Sequence, residues 1–452
     1  MLHKMKYLML LVTFIGFSAI GFPAGAEIIA FENVNVVPMD QKRVLSNYRV
    51  IVNAGKIAAI ESMNIKSSIK ADRVIDCHGY YMMPGLTDAH YHPRGASTEK
   101  DFDLFYKLLL ANGITTLMSM GEDNGQDAIA IKVHANKRDV FAPIYFTAGP
   151  FLGGNELKTP KDAIESVAYH KHRGYDFIKV HEDFSLDTYL ALLREAEKAG
   201  IPVVGHAQRL LPLEYTLRLG LVAHMEEIVD IFSDNDNFKI IEIDNQKAAD
   251  IATQVKNSGI YISPTLTILA MIQDYSDNSR FEKLKARSET RYLSKEEFKN
   301  YTTEGKEYRR EFFSSQQGIE GVDRLVKGTQ QLTKAFYKAG VPLLIGSDNI
   351  GLQITGFSLH DEMEAMEKLE IPAFDILNYA TVISARYLKR QAVSGTISVG
   401  KNAEFILLAD NPLATVKNTR NPQGLMVKGL WLDKKMLDQF LKEVELSRKQ
   451  EK

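Results

Sequence analysis

The feature that most constrains this chain is a rhythm between residues 85 and 391: short unbroken apolar runs alternate with stretches of helical character. The runs cover 85–92, 114–120, 144–149, 177–181, 202–207, 221–225, 260–265 and 341–348. Continuous apolar runs, unlike alternating ones, mark strands buried on both faces, and helices between them make the sheet parallel. Eight such units predict an α/β fold of the (β/α)₈ TIM-barrel kind. No glycine-rich phosphate loop opens any of the helices, which argues against an open nucleotide-binding sheet.

The flanks read differently. Residues 27–84 contain short Ile- and Val-rich strands, with a hairpin signal at Asn53-Ala54-Gly55. Residues 392–452 carry similar strand-like runs around Ile397, Phe405 and Met426. Neither piece holds enough apolar residues for its own core, so the expectation is one small β-domain assembled from both chain ends. Leu437, Phe440, Leu441 and Val444 then fall at helical spacing and predict a docked C-terminal helix. The segment 267–340, dense in charge from Arg280 to Arg310, is expected to be a helical insertion, either a lid or an external buttress.

At the N-terminus, Lys4 and Lys6 precede an apolar run over residues 7–22, and Ala24-Gly25-Ala26 follows. This is the pattern of a signal peptide over residues 1–26, so the protein is expected to be exported, periplasmic or secreted, with no stable membrane span once the signal is removed. The run is shorter than the roughly 20 residues a spanning helix needs. Net charge is -2, which gives no sign of a polyanion-binding surface, so no nucleic-acid partner is expected. Cys77 is the only cysteine, so no internal disulfide forms. The expected partner is a small-molecule substrate, and a homo-oligomer is left open.

Barrel enzymes carry their reactive groups at the C-terminal ends of strands. In this chain those ends hold His90 and His92, Lys179, His206, His224 and Asp348. Residues i and i+2 of a strand point to one side about 6.6 Å apart, so His90 and His92 can converge on one ion. The other His-x-His, His170 and His172, lies in a helical stretch where i and i+2 point about 200° apart, which removes it from the site. Any one of these residues alone is more often structural. A lysine amid Phe177, Ile178 and Val180 should not be buried unpaired, however, and a shared metal centre accounts for the whole set.

The run Pro84-Gly85-Leu86-Thr87-Asp88-Ala89-His90-Tyr91-His92, with Lys179, His206, His224 and Gly346-Ser347-Asp348, resembles the amidohydrolase superfamily. Its imidazolonepropionase-like and Xaa-Pro dipeptidase-like members are the nearer likeness. The tail Gly395-Thr396-Ile397-Ser398-Val399-Gly400-Lys401 and Val427-Lys428-Gly429 extend the resemblance across nearly the whole chain after residue 26. The resemblance implies a barrel joined to a β-sandwich made from both ends. It also implies two divalent metal ions, zinc being the expected one. His90, His92 and Asp348 would hold the first ion and His206 and His224 the second. Lys179, carboxylated by CO₂, would bridge them as a carbamate. A hydroxide bridging the ions would attack a substrate carbonyl while Asp348 moves the proton, and His181 and His360 would contact the substrate. A lysine at strand four departs from imidazolonepropionase itself. The expectation is therefore hydrolysis of an amide or peptide C–N bond in a dipeptide or N-acyl amino acid. Hydrolysis of lactones or phosphotriesters at the same site, a one-metal deaminase or ring hydrolase, and a non-catalytic exported binding protein are the alternatives.

Overall fold

The computed structural model describes residues 27–96, 98–122, 125–232, 243–303 and 306–451. The signal-peptide expectation for residues 1–26 lies outside them. Strands from both flanks meet in one sheet. The hairpin of Leu45–Asn53 and Lys56–Ser62 turns at Ala54 and Gly55, whose φ values of 51° and 75° are those a tight two-residue turn requires. Ile29–Val36 pairs with Leu45–Asn53 on one side and with Arg73–Asp76 and Tyr81–Pro84 on the other. Tyr81–Pro84 in turn pairs antiparallel with Phe405–Leu408, followed by Gly424–Val427 and Leu430–Asp433. The two ends of the chain thus share hydrogen bonds and an apolar cluster that includes Phe31, Val50, Ile57, Phe405 and Met426.

Between these flanks lie two parallel sheets with helices threaded through them. One contains Leu86–Tyr91, Ile114–Ser119 and Ile144–Thr147, the other Phe151–Leu152, Ile178–Val180, Val203–Gly205, Leu221–Ala223 and Tyr261–Ser263. Seven of the eight predicted runs are strands, and Phe151–Leu152 is an additional one. The run 341–348 departs from expectation: its only ladder contact is a single bridge from Leu343 to Ile262. It nonetheless bonds on both sides. Ile262 donates to Pro342 and accepts from Leu344 on one flank, while Ala89 donates to Ile345 and Asp348 donates to His90 on the other. Pro342 lacks an N–H, which breaks the ladder. At the other seam, the Asp176 amide donates to Thr147.

The helices follow from local signals. Glu99–Ala111 begins with a capping box between Thr98 and Asp101 and buries Phe105, Leu108 and Leu109. Pro160–Arg173 starts from Thr159 with proline in its first turn and ends at left-handed Gly174. Within 267–340, a single helix of 24 residues, Gln316–Ala339, packs on the helices Asn245–Ser258 and Leu266–Tyr275. That part is therefore integral to the helical layer. The C-terminal helix, Lys434–Gln450, buries Leu437, Phe440 and Val444 and lies against Glu99–Ala111. Among the described residues, no helix is long and apolar enough to cross a membrane.

Candidate metal centre

Leu86–Tyr91 is buried along its whole length, so the side chains at its C-terminal end face other strands, not water. His90 and His92 turn to the same side, and their Nε2 atoms stand 3.2 Å apart. Asp348 Oδ1 lies 3.6 Å from His90 Nε2 and 3.4 Å from His92 Nε2, and Asp348 Oδ2 lies 3.7 Å from His224 Nδ1. One donor atom each from His90, His224 and Asp348 falls within 4.8 Å of the others. His224 and Asp348 reach this point from left-handed backbone, at φ 79° and 40°. Such conformations are costly for residues with a side chain and persist where the surroundings enforce them. Gly346 makes the approach possible, because a Cβ there would sit 2.4 Å from the Cβ of His90.

Lys179 rises from the middle of Ile178–Val180 and is only 1% exposed, yet its Nζ has no hydrogen-bond partner. A Cβ on the neighbouring Gly205 would lie 3.0 Å from Lys179 Cδ and 2.0 Å from the Val180 carbonyl oxygen, so only glycine fits there. Burial lowers the Lys179 amine to about 8, against the pull of Asp348, Glu227 and Glu226. Burial likewise raises Asp348, against the pull of Lys179. Both partners are pushed toward neutrality, so desolvation outweighs their mutual attraction. His206 follows Gly205, its ring centroid 4.9 Å from that of His224. Burial first, then charges that include Lys179, holds His90, His92, His206 and His224 well below the usual histidine range. Their imidazoles are neutral and their lone pairs free for a cation. Converging buried imidazoles and carboxylates, with an unpartnered amine between them, fit a divalent metal.

Several residues at this mouth were assigned no role in the sequence. Asp88 accepts from the Ser347 amide (3.0 Å), the Ser347 hydroxyl (2.6 Å) and the His90 amide (3.2 Å), tying strand one to the Ser347-Asp348 turn. Burial raises it to about 7. Asn349 brackets His92, accepting from its amide and donating to its carbonyl. Thr265 Oγ1 lies 2.8 Å from His224 Nδ1. Glu226 and Glu227, just past His224, are the larger omission: Glu227 Oε1 stands 2.9 Å from His206 Nδ1. Burial raises Glu227 to about 7. Asp88 shares the i, i+2 spacing of His90 and His92, a signal present in the sequence. The glutamates open a helix, Glu226–Ile231, and read there as ordinary first-turn acids.

The two expected substrate contacts part company. His181 is exposed at the mouth, its ring centroid 4.4 Å from that of His206. His360 is a correction: it is buried in the helix Phe357–Lys368, with Nδ1 2.9 Å from Thr419 Oγ1 and Nε2 3.0 Å from the Asn112 carbonyl. Both ring nitrogens are engaged in the scaffold, so it offers nothing to a substrate. His170 and His172 lie on opposite faces of their helix, one buried and one exposed.

A family model described as the amidohydrolase family matches residues 81–432, which include every residue of this cluster. The chain belongs to the amidohydrolase family. Among curated proteins, this amidohydrolase is similar to adenine deaminase 2 of Shouchella clausii (strain KSM-K16), 25% identical over 180 residues, 36% of this chain and 31% of that protein. A shorter stretch of 73 residues is 34% identical to adenine deaminase 2 of Latilactobacillus sakei subsp. sakei (strain 23K), covering 16% of this chain and 12% of that one. The matches thus span about a third or less of those relatives. Solved structures match far more of the chain. A Xaa-Pro dipeptidase with methionine bound in its active site superimposes with a TM-score of 0.68 at 17% identity, over 90% of this chain and 100% of that one. Bottromycin amidohydrolase gives 0.69 at 20% identity over 93% and 90%. A putative prolidase from Bifidobacterium longum gives 0.66 at 18% identity over 92% and 99%. At these identities the likeness establishes the fold of the amidohydrolase, an α/β arrangement of TIM-barrel type, whose strands end at the cluster just described.

Proposed function

We propose that the protein is an exported, metal-dependent hydrolase that cleaves an amide or peptide C–N bond, with dipeptides or N-acyl amino acids as its substrate class. The observation that carries this reading is the convergence of His90, His224 and Asp348 donor atoms in a buried pocket, beside His92 and an unpartnered Lys179. His90, His92 and Asp348 would hold one divalent ion, zinc by ligand chemistry, and His206 and His224 a second. The neutral amine of Lys179 would add to the carbon of CO₂ and release a proton. The resulting carbamate would put an anionic ligand where the unpartnered amine stands. Bound ions lower the pKa of water toward about 7 and polarise a carbonyl.

The chain's own groups supply the rest. An Asp348 carboxylate oxygen accepts the proton of the attacking water and returns it to the leaving nitrogen. Asp88 and Asn349 fix the backbone on either side of His90 and His92. His181, exposed beside His206, would donate to the substrate carbonyl. The bonds joining residues 341–348 to Ala89, His90 and Ile262 support a closed (β/α)₈ barrel over 85–391. The shared terminal sheet supports a β-sandwich domain from 27–84 and 392–452. Export rests on the positive and apolar pattern of residues 1–26, and cell fractionation tests it.

Metal analysis of the purified protein, followed by a screen of Xaa-Pro dipeptides, N-acyl amino acids, lactones and phosphotriesters, tests the reading. Two ions per chain and chelator-sensitive cleavage of an amide are expected; full activity after exhaustive chelation would overturn it. A one-metal deaminase is the second reading, favoured by a cluster that needs only His90, His224 and Asp348. One ion per chain with ammonia release from an amino-substituted ring would establish it.

A further inference from the structure

Thr265 stands where a threonine ordinarily caps the helix it opens, Leu266–Tyr275, yet its hydroxyl gives that helix no bond. The hydroxyl is turned the other way. Its oxygen lies 2.8 Å from His224 Nδ1, and its proton has the Pro264 carbonyl to go to at 2.9 Å. Two carboxylates near the same nitrogen, those of Glu226 and Asp348, stand farther off, both at 3.7 Å. An imidazole that carries its proton on Nδ1 keeps its lone pair on Nε2, at the other end of the ring.

The backbone is bent to allow this contact. Thr265 sits at φ 48° and ψ 46°, left-handed geometry that a β-branched residue rarely adopts. His224, itself left-handed, meets it across the ends of Leu221–Ala223 and Tyr261–Ser263. The His224 amide donates to the Ser263 carbonyl, and the Met225 amide to that of Pro264. The helix start is not left bare either. Glu362, fully buried in the helix Phe357–Lys368, accepts from the Leu266 amide through Oε1 at 2.9 Å. Its Oε2 accepts from the Thr267 amide at 2.9 Å and the Thr267 hydroxyl at 3.1 Å. A carboxylate from another helix does the capping, which spares the Thr265 hydroxyl for the histidine.

We propose that Thr265 is a positioning residue of the metal centre: its hydroxyl oxygen accepts from His224 Nδ1–H and fixes the tautomer whose Nε2 lone pair takes the ion. This rests on the metal-dependent reading above, but the tautomer can be read with no metal present. Long-range proton–nitrogen correlation spectra of the full chain, isotope-labelled at histidine and held in chelator, should show His224 protonated at Nδ1. Comparison with His224→Gln assigns the signals. Thr265→Val keeps the shape, removes the hydroxyl and should release the ring to the Nε2–H form or a mixture, whereas Thr265→Ser should match the wild type. Competition with a chromophoric chelator should then show one zinc ion held about 10- to 100-fold more weakly in Thr265→Val, and within about threefold of wild type in Thr265→Ser, as for a group that orients a ligand.

A wild-type His224 protonated at Nε2 would overturn the assignment, and so would wild-type zinc affinity in Thr265→Val. Equal loss of zinc in Thr265→Val and Thr265→Ser would overturn it too, since the shape of the residue and not its hydroxyl would then matter. If Thr265→Val does not fold, the tautomer of the wild type decides alone. An Nδ1–H tautomer in a protein that binds no zinc would sink the metal reading and leave the Thr265 bond standing. Zinc binding by a protein whose metal-free His224 carries its proton on Nε2 would do the reverse.

Discussion

Two buried histidine sites on this chain look alike in the sequence and behave as opposites in the structure. In the wall, His360 spends both ring nitrogens on neighbours. Nε2 donates to the Asn112 carbonyl, and Nδ1 accepts from the Thr419 hydroxyl, which is all a neutral imidazole can offer. At the mouth, His90 Nδ1 and Lys179 Nζ are equally buried and have no partner. Buried polar groups are nearly always satisfied, so an unsatisfied cluster is incomplete without a ligand. The contrast teaches that accounting for hydrogen bonds separates scaffold from site where residue type does not.

The largest expected break in the comparison comes at Asp348. Asp348→Asn keeps the shape of the side chain and its backbone, but removes the proton acceptor. Turnover should fall about 10²- to 10⁴-fold with an unchanged near-ultraviolet circular dichroism spectrum. Wild-type turnover would show that the carboxylate moves no proton. The wall should respond in the other currency. His360→Leu orphans the Asn112 carbonyl, while the Thr419 hydroxyl keeps its bond to the Val416 carbonyl, and this costs about 1–3 kcal/mol in urea unfolding with activity per folded molecule unchanged. A loss of activity without loss of stability would return His360 to the site.

Acid titration sharpens the same contrast. Burial lowers His360 to about 4, below the ordinary histidine value of 6.5. As pH falls, the unfolded chain takes up this proton first. The stability held by a neutral His360 is therefore present above pH 6.5 and lost progressively down to about pH 4. The full loss is roughly 3 kcal/mol. His360→Gln should lack this slope, so the gap between the variant and the wild type should narrow on going from pH 7 to pH 4.5. A constant gap across that range would mean that His360 titrates in the folded protein as it does in the unfolded chain.

How much of this was legible depends on whether the signal was local. The apolar runs announced their strands because parallel strands are buried on both faces, and the helix signals at Thr98 and Thr159 are short-range chemistry. The gathering of the mouth residues was readable because strand ends share one edge of such a fold. The apolar content of 341–348 predicts a strand, but Pro342 breaks the ladder and the run bonds to its neighbours only at scattered points. The scaffold role of His360 is not legible locally, because its partners, Asn112 and Thr419, are 248 and 59 residues away. Glu227 went unassigned because nothing local distinguishes a first-turn helix acid from one that meets His206.

Close approach is a further, smaller test of the mouth. Gly346→Ala would press a methyl against the Cβ of His90 and the hydroxyl of Ser263, at 2.4 Å and 2.7 Å. Overpacking of this kind costs about 1–3 kcal/mol and should displace His90 enough to lower metal content as well. A variant with normal stability and metal would mean the strands separate freely here.

The smallest effect is the most diagnostic, because its sign reverses. In metal-free protein, Lys179 is a buried amine whose desolvation outweighs its attraction to Asp348, Glu227 and Glu226, which is why it falls to about 8. Below that pH the charged form is disfavoured in the folded state, so its destabilising contribution is present at neutrality and fades as pH rises toward the ordinary lysine value. Lys179→Met retains the bulk and removes the charge. In chelator it should therefore match or exceed the wild type, by about 1 kcal/mol once the stranded carboxylates are counted. With metal added the order should invert, because the wild type gains the binding energy of a complete ligand set and the variant does not. Thermal unfolding of both proteins in chelator and in zinc reads all four states. If the variant is less stable by the same amount in both conditions, Lys179 is a structural residue and the mouth resembles the wall after all.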